Sequence, residues 1–184
     1  MPEHAEQDFV FDTRHDRYPV AVHVILTDET GRVLLMRRAG SGYADGRLAL
    51  PAGHVDLGET PTACARREIA EELGIQLDPT RLQPSGVMFR RSLEPRVDIF
   101  FSTSTWGGTP IIREPHKCTE LVWSDRHELP ADTMDFVGAA ITNASTGRHY
   151  DEHGWQAAGQ PCAPSSTAAP EAALLPAEAG DTVR

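Results

Sequence analysis

The sequence predicts an α+β domain, because short apolar segments of strand length lie on both sides of a helical segment and a second helical segment follows them. Residues 20–27 are apolar at successive positions, which is typical of a central strand buried on both faces. Residues 28–31 favour a turn and residues 33–36 are again apolar, so the two apolar segments predict a β-hairpin. Residues 48–50 predict a further short strand.

The central helical segment has a start signal and a stop signal. Thr60 suits the N-cap, and Pro61 suits the first helical position because it has no N–H to leave unpaired. Gly74 suits the helix end, where glycine adopts the left-handed conformation without steric cost. Three apolar residues at helical spacing form a stripe that should pack on a sheet: Ala65, Ile69 and Leu73.

After this helix the apolar segments again have strand length. Three further strands are predicted, at residues 87–89, 97–102 and 121–123. Residues 132–145 carry apolar side chains at helical spacing and predict a closing helix. Asp132 is its predicted N-cap, and Asp135 lies in its predicted first turn.

The most informative pattern in the chain spans residues 53–75, GHVDLGETPTACARREIAEELGI. It combines Gly, Glu and Arg residues at fixed spacing around the predicted helix. At about 100° per residue, Glu68, Glu71 and Glu72 share one face of that helix. Three carboxylates on one face repel one another, and Mg²⁺ or Mn²⁺, which prefer oxygen ligands, would relieve the repulsion. The pattern therefore indicates a divalent-metal site.

These residues fill every fixed position of the Nudix box, and the chain resembles the Nudix hydrolase family, in particular its MutT-like members. The resemblance implies an α+β fold in which a mixed β-sheet is sandwiched between α-helices and the box forms a loop–helix–loop. It also implies a metal-dependent hydrolase that acts on a nucleoside diphosphate linked to another group.

The resemblance further assigns roles to the box residues. Glu68, Glu71 and Glu72 would hold the metal, with Glu72 the surest ligand and Glu68 a candidate base toward the attacking water. Glu59 would support the loop and the helix. Arg67 lies four residues before Glu71 and can orient it through an ion pair.

Two further metal ligands are expected outside the helix. The residue before the box often lends a backbone carbonyl to the metal; here it is Ala52, where many relatives have Gly. A carboxylate from a later loop is also expected, and Glu114, in the sequence EPHKC, is the preferred candidate, with Glu120 as the alternative. The EPxKC sequence resembles a subset of nucleotide-cleaning and plant Nudix enzymes.

The expected substrate contacts lie in the strands and loops around the box. Arg37 and Arg38 end the second predicted strand, and the resemblance places Arg38 where relatives contact substrate phosphate. His23 lies in the strand that can form the floor of a base pocket in this fold, although a hydrogen-bonded core histidine is the alternative interpretation. Asp135 belongs to a segment that can contact base or sugar. A later basic group could also reach a phosphate: Arg90, Arg91 and Arg96.

Composition narrows the partners and the compartment. The net charge of −10 over 184 residues argues against a nucleic-acid polymer as partner, but a nucleotide remains compatible because metal and local Arg residues can hold its phosphates. The three cysteines are widely spaced and predict reduced thiols. No apolar run approaches the ~20 residues that a membrane-spanning helix needs. We therefore expect a cytoplasmic monomer or homodimer without a membrane partner.

The composition also divides the chain into three parts. Residues 1–17 are polar and predict an N-terminal arm, residues 18–155 predict the Nudix hydrolase domain, and residues 156–184 predict a disordered tail rich in Ala and Pro.

The favoured functional hypothesis is an Mg²⁺-dependent hydrolase that cleaves a (deoxy)nucleoside triphosphate into a nucleoside monophosphate and pyrophosphate. One alternative is a hydrolase of ADP-ribose, another nucleoside diphosphate sugar, a prenyl diphosphate or dihydroneopterin triphosphate. A second is a non-catalytic module that senses a nucleotide. A third is a prenyl diphosphate isomerase, which would need a catalytic cysteine, for which Cys64 on the helix is the candidate.

Overall fold

Within residues 17–155, which are the residues that the computed structural model describes, the chain forms eight strands and two helices. The strands are β1 (Val20–Leu26), β2 (Arg32–Arg38), β3 (Leu48–Ala49), β4 (Ala52–His54), β5 (Gln83–Arg91), β6 (Pro95–Thr103), β7 (Cys118–Asp125) and β8 (Tyr150–His153). The helices are α1 (Pro61–Leu73) and α2 (Asp135–Thr146). The predicted arm, up to residue 16, and the predicted tail lie outside the described residues.

The strands form two sheets, of five and three strands. The larger has the order β4-β1-β6-β5-β8, in which β1 and β6, and β5 and β8, are parallel while the other pairs are antiparallel. The smaller has the order β3-β2-β7 and is antiparallel. The predicted α+β class with a mixed sheet is confirmed.

The two helices cover opposite faces of these sheets. Val22, Val24 and Leu26 of β1 belong to the apolar core beneath α1, whereas Ile25 belongs to the core beneath α2. Because successive side chains of a strand point to opposite faces, a strand between two helix layers must be apolar at consecutive positions. This is the reason that β1 has the sequence of a doubly buried strand.

The predicted hairpin between the first two strands is wrong. β1 lies between β4 and β6, so both of its edges are occupied, and β2 lies between β3 and β7 in the other sheet. Only an isolated bridge between Thr27 and Val33 joins them. The turn does form, with the Asp28 carboxylate accepting hydrogen bonds from the backbone N–H groups of Thr30 and Arg32. A turn sequence fixes the local chain reversal but not the edges that the two strands use.

The predicted N-cap of the second helix is also wrong. Helix α2 begins at Asp135, Met134 occupies the N-cap without a side-chain hydrogen bond, and Asp135 lies in the first turn as predicted. The Asp132 carboxylate instead accepts a hydrogen bond from Arg37. The backbone carbonyl of Asp132 accepts a hydrogen bond from the N–H of Leu48, so this segment is drawn to β3 before the helix starts.

The later strands are longer than their apolar centres predict, and β8 carries no apolar pattern. Its sequence, YDEH, pairs in parallel with residues 87–90 of β5. Just after it, Trp155 stacks on Phe89 with ring centroids 5.1 Å apart. Trp155 Nε1 also donates a hydrogen bond to the carbonyl of Phe89, and Asn143 donates one to the Asp151 carboxylate. None of these contacts leaves a periodic signal in the sequence.

Candidate functional site

Helix α1, which carries the acidic residues, begins and ends where the sequence predicts. The Thr60 hydroxyl accepts a hydrogen bond from the N–H of Ala63, Pro61 occupies the first turn, and Gly74 ends the helix with φ at 70°. Ala65, Ile69 and Leu73 are fully buried against the sheets. With this stripe facing the core, the neighbouring acidic face is turned toward β4 and the loop that precedes β7.

A cleft of about 350 Å³ opens at this acidic face. Its walls include residues from three parts of the chain: β4, helix α1 and the loop before β7. The residues concerned are Ala52, Gly53, Glu68, Glu72, Glu114 and Lys117. The cleft therefore brings together carboxylates that are far apart in the sequence.

Glu72 is the most deeply buried of these carboxylates. Its Oε2 accepts a hydrogen bond of 3.1 Å from the N–H of Ala52. Burial, followed by the charge of Glu68, raises the pKa of Glu72 to about 8, and Glu114 contributes in the same direction. An ionised carboxylate at this position therefore lacks sufficient positive charge nearby within the protein, which is the situation that a bound cation corrects.

Glu68 lies directly against the backbone of Gly53. A Cβ atom built on Gly53 would be 1.8 Å from Glu68 Cδ and 1.9 Å from Glu68 Oε1. Glycine therefore permits this close approach of Glu68, whereas its backbone conformation would suit other residues. Burial raises the pKa of Glu68, while a hydrogen bond from Arg67 opposes this shift.

Arg67 connects the helix to the loop before it. Its guanidinium donates two hydrogen bonds of 2.9 Å to the carboxylate of Glu59 and one of 2.7 Å to Glu68. It also donates to Glu71 at 3.3 Å and to the carbonyl of His54 at 3.2 Å. The hydrogen bonds from Arg67 outweigh burial and lower the pKa of Glu59 to about 2. Arg67 thus fixes the loop, Glu59 and Glu68 relative to one another.

Of the other predicted carboxylates, Glu114 lies in the cleft, whereas Glu71 and Glu120 lie outside it. Glu114 lines the cleft and accepts two hydrogen bonds from Lys117, of 2.9 and 3.0 Å. Glu71 does not line the cleft, and its side chain is 55% exposed beside Arg67. Glu120, the alternative to Glu114, accepts a hydrogen bond of 2.6 Å from Arg37 and does not line the cleft either.

The donor set in the cleft fits a hard divalent cation. Glu68, Glu72 and Glu114 offer carboxylate oxygens, and their mutual charge is incompletely balanced by Lys117. Among residues 17–155, no three His, Cys, Asp or Glu side chains already converge on one point, so a cation would have to draw these carboxylates inward. The backbone of Ala52 has no positive φ, so a non-glycine residue suits this position.

Of the predicted substrate contacts, Arg38, His23, Arg90 and Arg96 line a cavity at this site. Arg38 lies at the border between the cleft and a second cavity, where it donates hydrogen bonds to Ser41 Oγ and to the carbonyl of Tyr43. Arg37 is instead bound to Glu120 and Asp132, outside both cavities.

Asp135 also lies outside both cavities. Its side chain is 88% exposed and contacts Arg47 at 3.3 Å. The positions of Arg37 and Asp135 give no support to the substrate contacts expected of them.

The second cavity, of about 370 Å³, lies beneath the start of α2. Its floor is formed by His23 and neighbouring residues of the larger sheet, and its apolar walls include Leu50, Met134 and Phe136. It shares Arg38, Ala52, Gly53 and His54 with the acidic cleft, so the two hollows are continuous. Trp106 lies outside both cavities and packs on Trp123, with ring centroids 6.1 Å apart.

Some residues in or beside these cavities carry no functional signal in the sequence. His54 lines both cavities, yet an isolated His at the end of a strand is common. Asp98 is completely buried in β6, and its position within an otherwise apolar segment could have drawn attention to it. Asp98 lies beside His23 and Arg90 only because β1, β6 and β5 are neighbours in the larger sheet.

The α/β/α arrangement and the acidic cleft against a loop–helix–loop define a domain of the Nudix class. The family model of the NUDIX domain matches residues 17–144. The chain therefore belongs to the Nudix hydrolase family. Enzymes of this family generally use a divalent metal.

Individual relatives agree with this assignment. The chain is 32% identical over 118 residues to an 8-oxo-dGTP diphosphatase of Haemophilus influenzae, a match that covers 64% of this chain and 83% of that protein. It is 28% identical over 138 residues to a MutT-like protein of Streptomyces ambofaciens, covering 74% and 84% of the two chains. The structure of a MutT NUDIX hydrolase from Burkholderia pseudomallei superposes with a TM-score of 0.64 at 27% identity, covering 70% of this chain and 98% of the other.

Neither α1 nor α2, the helices of the described region, has the length and apolar composition needed to cross a membrane.

Proposed function

We propose that this Nudix hydrolase cleaves a (deoxy)nucleoside triphosphate between its α- and β-phosphates, releasing a nucleoside monophosphate and pyrophosphate. The observation that carries the proposal is the continuity of the acidic cleft with an aromatic-walled cavity, because a nucleotide combines a polyphosphate with a planar base. Arg38, at the border, suits the intervening phosphates. The Haemophilus influenzae relative is an 8-oxo-dGTP diphosphatase, which supports the same class of substrate.

We further propose Mg²⁺ as the cofactor, with Mn²⁺ as a possible substitute. Glu68, Glu72, Glu114 and the backbone carbonyl of Ala52 would hold the cation. When bound, it would neutralise phosphate charge and lower the pKa of an attacking water. Glu71, which faces Arg67 outside the cleft, would contribute by keeping Arg67 in place.

Within this scheme the protein's own side chains orient the reactants and accept the proton. Glu68 is the stronger candidate for the base, because its pKa is raised by burial toward the range in which a carboxylate accepts protons efficiently. Glu114 is the weaker candidate, because two hydrogen bonds from Lys117 already occupy its oxygens. The walls of the second cavity would limit the access of water to the nucleobase of the substrate.

A product-identifying screen tests the proposal. Purified full-length protein would be incubated with Mg²⁺ and canonical or oxidised nucleoside triphosphates, ADP-ribose, nucleoside diphosphate sugars or isopentenyl diphosphate, and products separated by anion-exchange chromatography. We expect a triphosphate to give monophosphate and pyrophosphate with the highest kcat/KM, and chelation of the metal to stop turnover. Higher kcat/KM for ADP-ribose, with AMP and ribose 5-phosphate as products, would overturn the choice of substrate.

The structure weighs against the isomerase alternative. Cys64 is fully buried under β4, and its thiol lies 3.3 Å from the carbonyl of His54. Burial, followed by the charge of Glu59, raises the pKa of Cys64 to about 12. A neutral, enclosed thiol is a packing residue, because catalysis by cysteine needs an accessible thiolate.

Arg67→Lys is expected to lower kcat/KM by about 10–100-fold, the usual cost of removing a residue that orients metal ligands. A lysine ammonium cannot reproduce the two parallel hydrogen bonds to Glu59 while also contacting Glu68. Steady-state kinetics with Mg²⁺ measures the effect. Arg66→Lys is the matched control, since Arg66 is exposed and bonds only weakly to the carbonyl of Leu77 at 3.3 Å. Equal losses in both variants would contradict the role of Arg67.

A further inference from the structure

Three charged or polar side chains lie side by side on the sheet face beneath α2. Asp98 of β6 is paired with Ala21 of β1 and with Met88 of β5. Because alternate residues of a strand share a face, Asp98 lies diagonally between His23 and Arg90 on that face. All three are buried, with side-chain exposures of 7% for His23, 0% for Asp98 and 6% for Arg90.

Asp98 lies between two basic side chains, His23 and Arg90, and binds Arg90 directly. Arg90 Nε donates a hydrogen bond to Asp98 Oδ2, and His23 Nε2 lies 3.4 Å from Asp98 Oδ1 without closing a hydrogen bond. Burial would raise the pKa of Asp98, but His23 and Arg90 outweigh it and hold the pKa at about 2. Asp98 is therefore an anion, and it fixes one edge of the Arg90 guanidinium.

Aromatic rings pack against the side chains of Arg90 and His23. The guanidinium carbon of Arg90 lies 4.0 Å from the centre of the Phe136 ring. The His23 ring stacks on Phe100 at 4.9 Å and meets the edge of Phe136 at 5.5 Å. Arg90 is thus held by an ion pair at Nε and by an aromatic face, which is an unusually rigid setting for a long side chain.

The terminal nitrogens of Arg90 remain available. Within residues 17–155, Nη1 and Nη2 of Arg90 make no hydrogen bond, although the side chain is more than nine-tenths buried. Arg90 lines the 370 Å³ cavity that continues into the acidic cleft. Arg38 and Arg96 line the same cavity and likewise offer only donors, while Glu94 at its rim is exposed. The arginines of this cavity therefore match a ligand edge that is rich in acceptors.

We propose that Arg90 is a specificity-determining residue that donates from its terminal nitrogens to the carbonyl oxygen and ring nitrogen on one edge of a 6-oxopurine, with Asp98 as its positioning residue. The inference rests on the proposed function, since it names the base of the same substrate. A guanidinium fork matches two adjacent acceptors, O6 and N7, of guanine or hypoxanthine. Adenine presents an amino group in place of O6, so one donor of Arg90 would face another donor.

Binding of nucleoside monophosphates tests this inference separately from catalysis. Isothermal titration calorimetry without metal would compare GMP, IMP, AMP and 7-deaza-GMP, which lacks the N7 acceptor. We expect GMP and IMP to bind alike, and each to bind about tenfold more tightly than AMP or 7-deaza-GMP, the value of one or two hydrogen bonds from a charged donor. Similar affinities for all four would overturn the inference.

Variants of Arg90 then separate recognition of the base from recognition of phosphate. Arg90→Lys keeps the charge beside Asp98 but loses the fork, so we expect the preference for GMP over AMP to fall from about tenfold to near unity. Affinity for pyrophosphate with Mg²⁺ should stay at the wild-type value. Arg91→Lys, the same change at the adjacent exposed residue, should keep the preference. Weaker pyrophosphate binding by Arg90→Lys, with an unchanged preference for GMP, would show a phosphate contact and overturn the inference.

Asp98→Asn tests the positioning role. We expect it to reduce the GMP preference and raise KM for the preferred triphosphate more than it lowers kcat, which a general loss of stability would not do. Because Asp98→Asn can destabilise the fold, the paired change Arg90→Met with Asp98→Asn removes both buried charges together and should also lose the preference. Retained preference in the paired variant would overturn the inference. If the preference for GMP depends on Arg90 but the protein hydrolyses no triphosphate, only the proposed function is overturned.

Discussion

Replacing Glu72 by Gln is expected to lower kcat/KM for Mg²⁺-dependent hydrolysis by about 10³-fold, equivalent to about 4 kcal/mol of transition-state stabilisation. The side chain is the most buried carboxylate in the cleft, and its pKa of about 8 shows how poorly the protein alone balances its charge. A Gln amide oxygen can still accept the hydrogen bond from Ala52, so the fold should persist. Steady-state kinetics and thermal denaturation of the metal-free protein measure the two effects.

Glu71→Gln is the matched control, because the same change is made at the next residue on the same helix. Glu71 is 55% exposed and lies beside Arg67 instead of in the cleft. We expect its loss of kcat/KM to be at least about tenfold smaller than that of Glu72→Gln. Wild-type turnover by Glu72→Gln, or a loss of melting temperature large enough to explain its inactivity, would remove the case for Glu72 as a ligand.

Gly53→Ala is expected to lower kcat/KM by about 10²-fold while changing stability little, because misplacing a reacting group by about 1 Å has a cost of this order. The new methyl group would overlap Glu68 at 1.8 Å and displace the end of that flexible side chain. The backbone itself tolerates alanine, since Gly53 is not among the glycines with positive φ. Kinetics, Mn²⁺ binding by titration calorimetry and thermal denaturation would be compared.

Gly58→Ala should show the opposite result. Nothing lies within 4 Å of a Cβ at Gly58, but its φ of 81° is unfavourable for alanine. We expect a loss of about 1 kcal/mol in the free energy of unfolding, with kcat/KM near the wild-type value. If Gly53→Ala kept full activity, or if Gly58→Ala lost as much activity as Gly53→Ala, close approach of Glu68 to Gly53 would not control catalysis.

Helix α1 was predictable because its signals are local. Thr60, Pro61 and Gly74 act on the backbone of their immediate neighbours, and the apolar stripe follows from the helical repeat. The second helix shows the limit of this approach. Asp132 has the right residue type for an N-cap, but the competing ion pair with Arg37 of β2 places its carboxylate elsewhere. An ion pair with a distant residue can override a local capping preference when both interactions need the same side chain.

The spacing of the glutamates on α1 was also insufficient to predict which of them line the cleft. Glu68, Glu71 and Glu72 share a face by angle, yet only Glu68 and Glu72 line the cleft, because Arg67 and β4 determine what lies opposite each one. Similarly, Arg37 and Arg38 are neighbours in sequence, but the register of β2 against β7 shifts between them, and such an irregularity redirects side chains. Arg38 therefore borders the cleft, whereas Arg37 binds Glu120 and Asp132.

The sequence by itself determined helix α1, its ends and the family, because residues close together on one helix carry that information. The tertiary structure alone decided which strands pair, that Glu114 enters the cleft, and that Arg90, Asp98 and His23 meet beneath Phe136. Those arrangements depend on contacts between residues far apart in the chain. Side-chain spacing is fixed by local backbone geometry, whereas strand order is fixed by which apolar faces the folded chain can bury together.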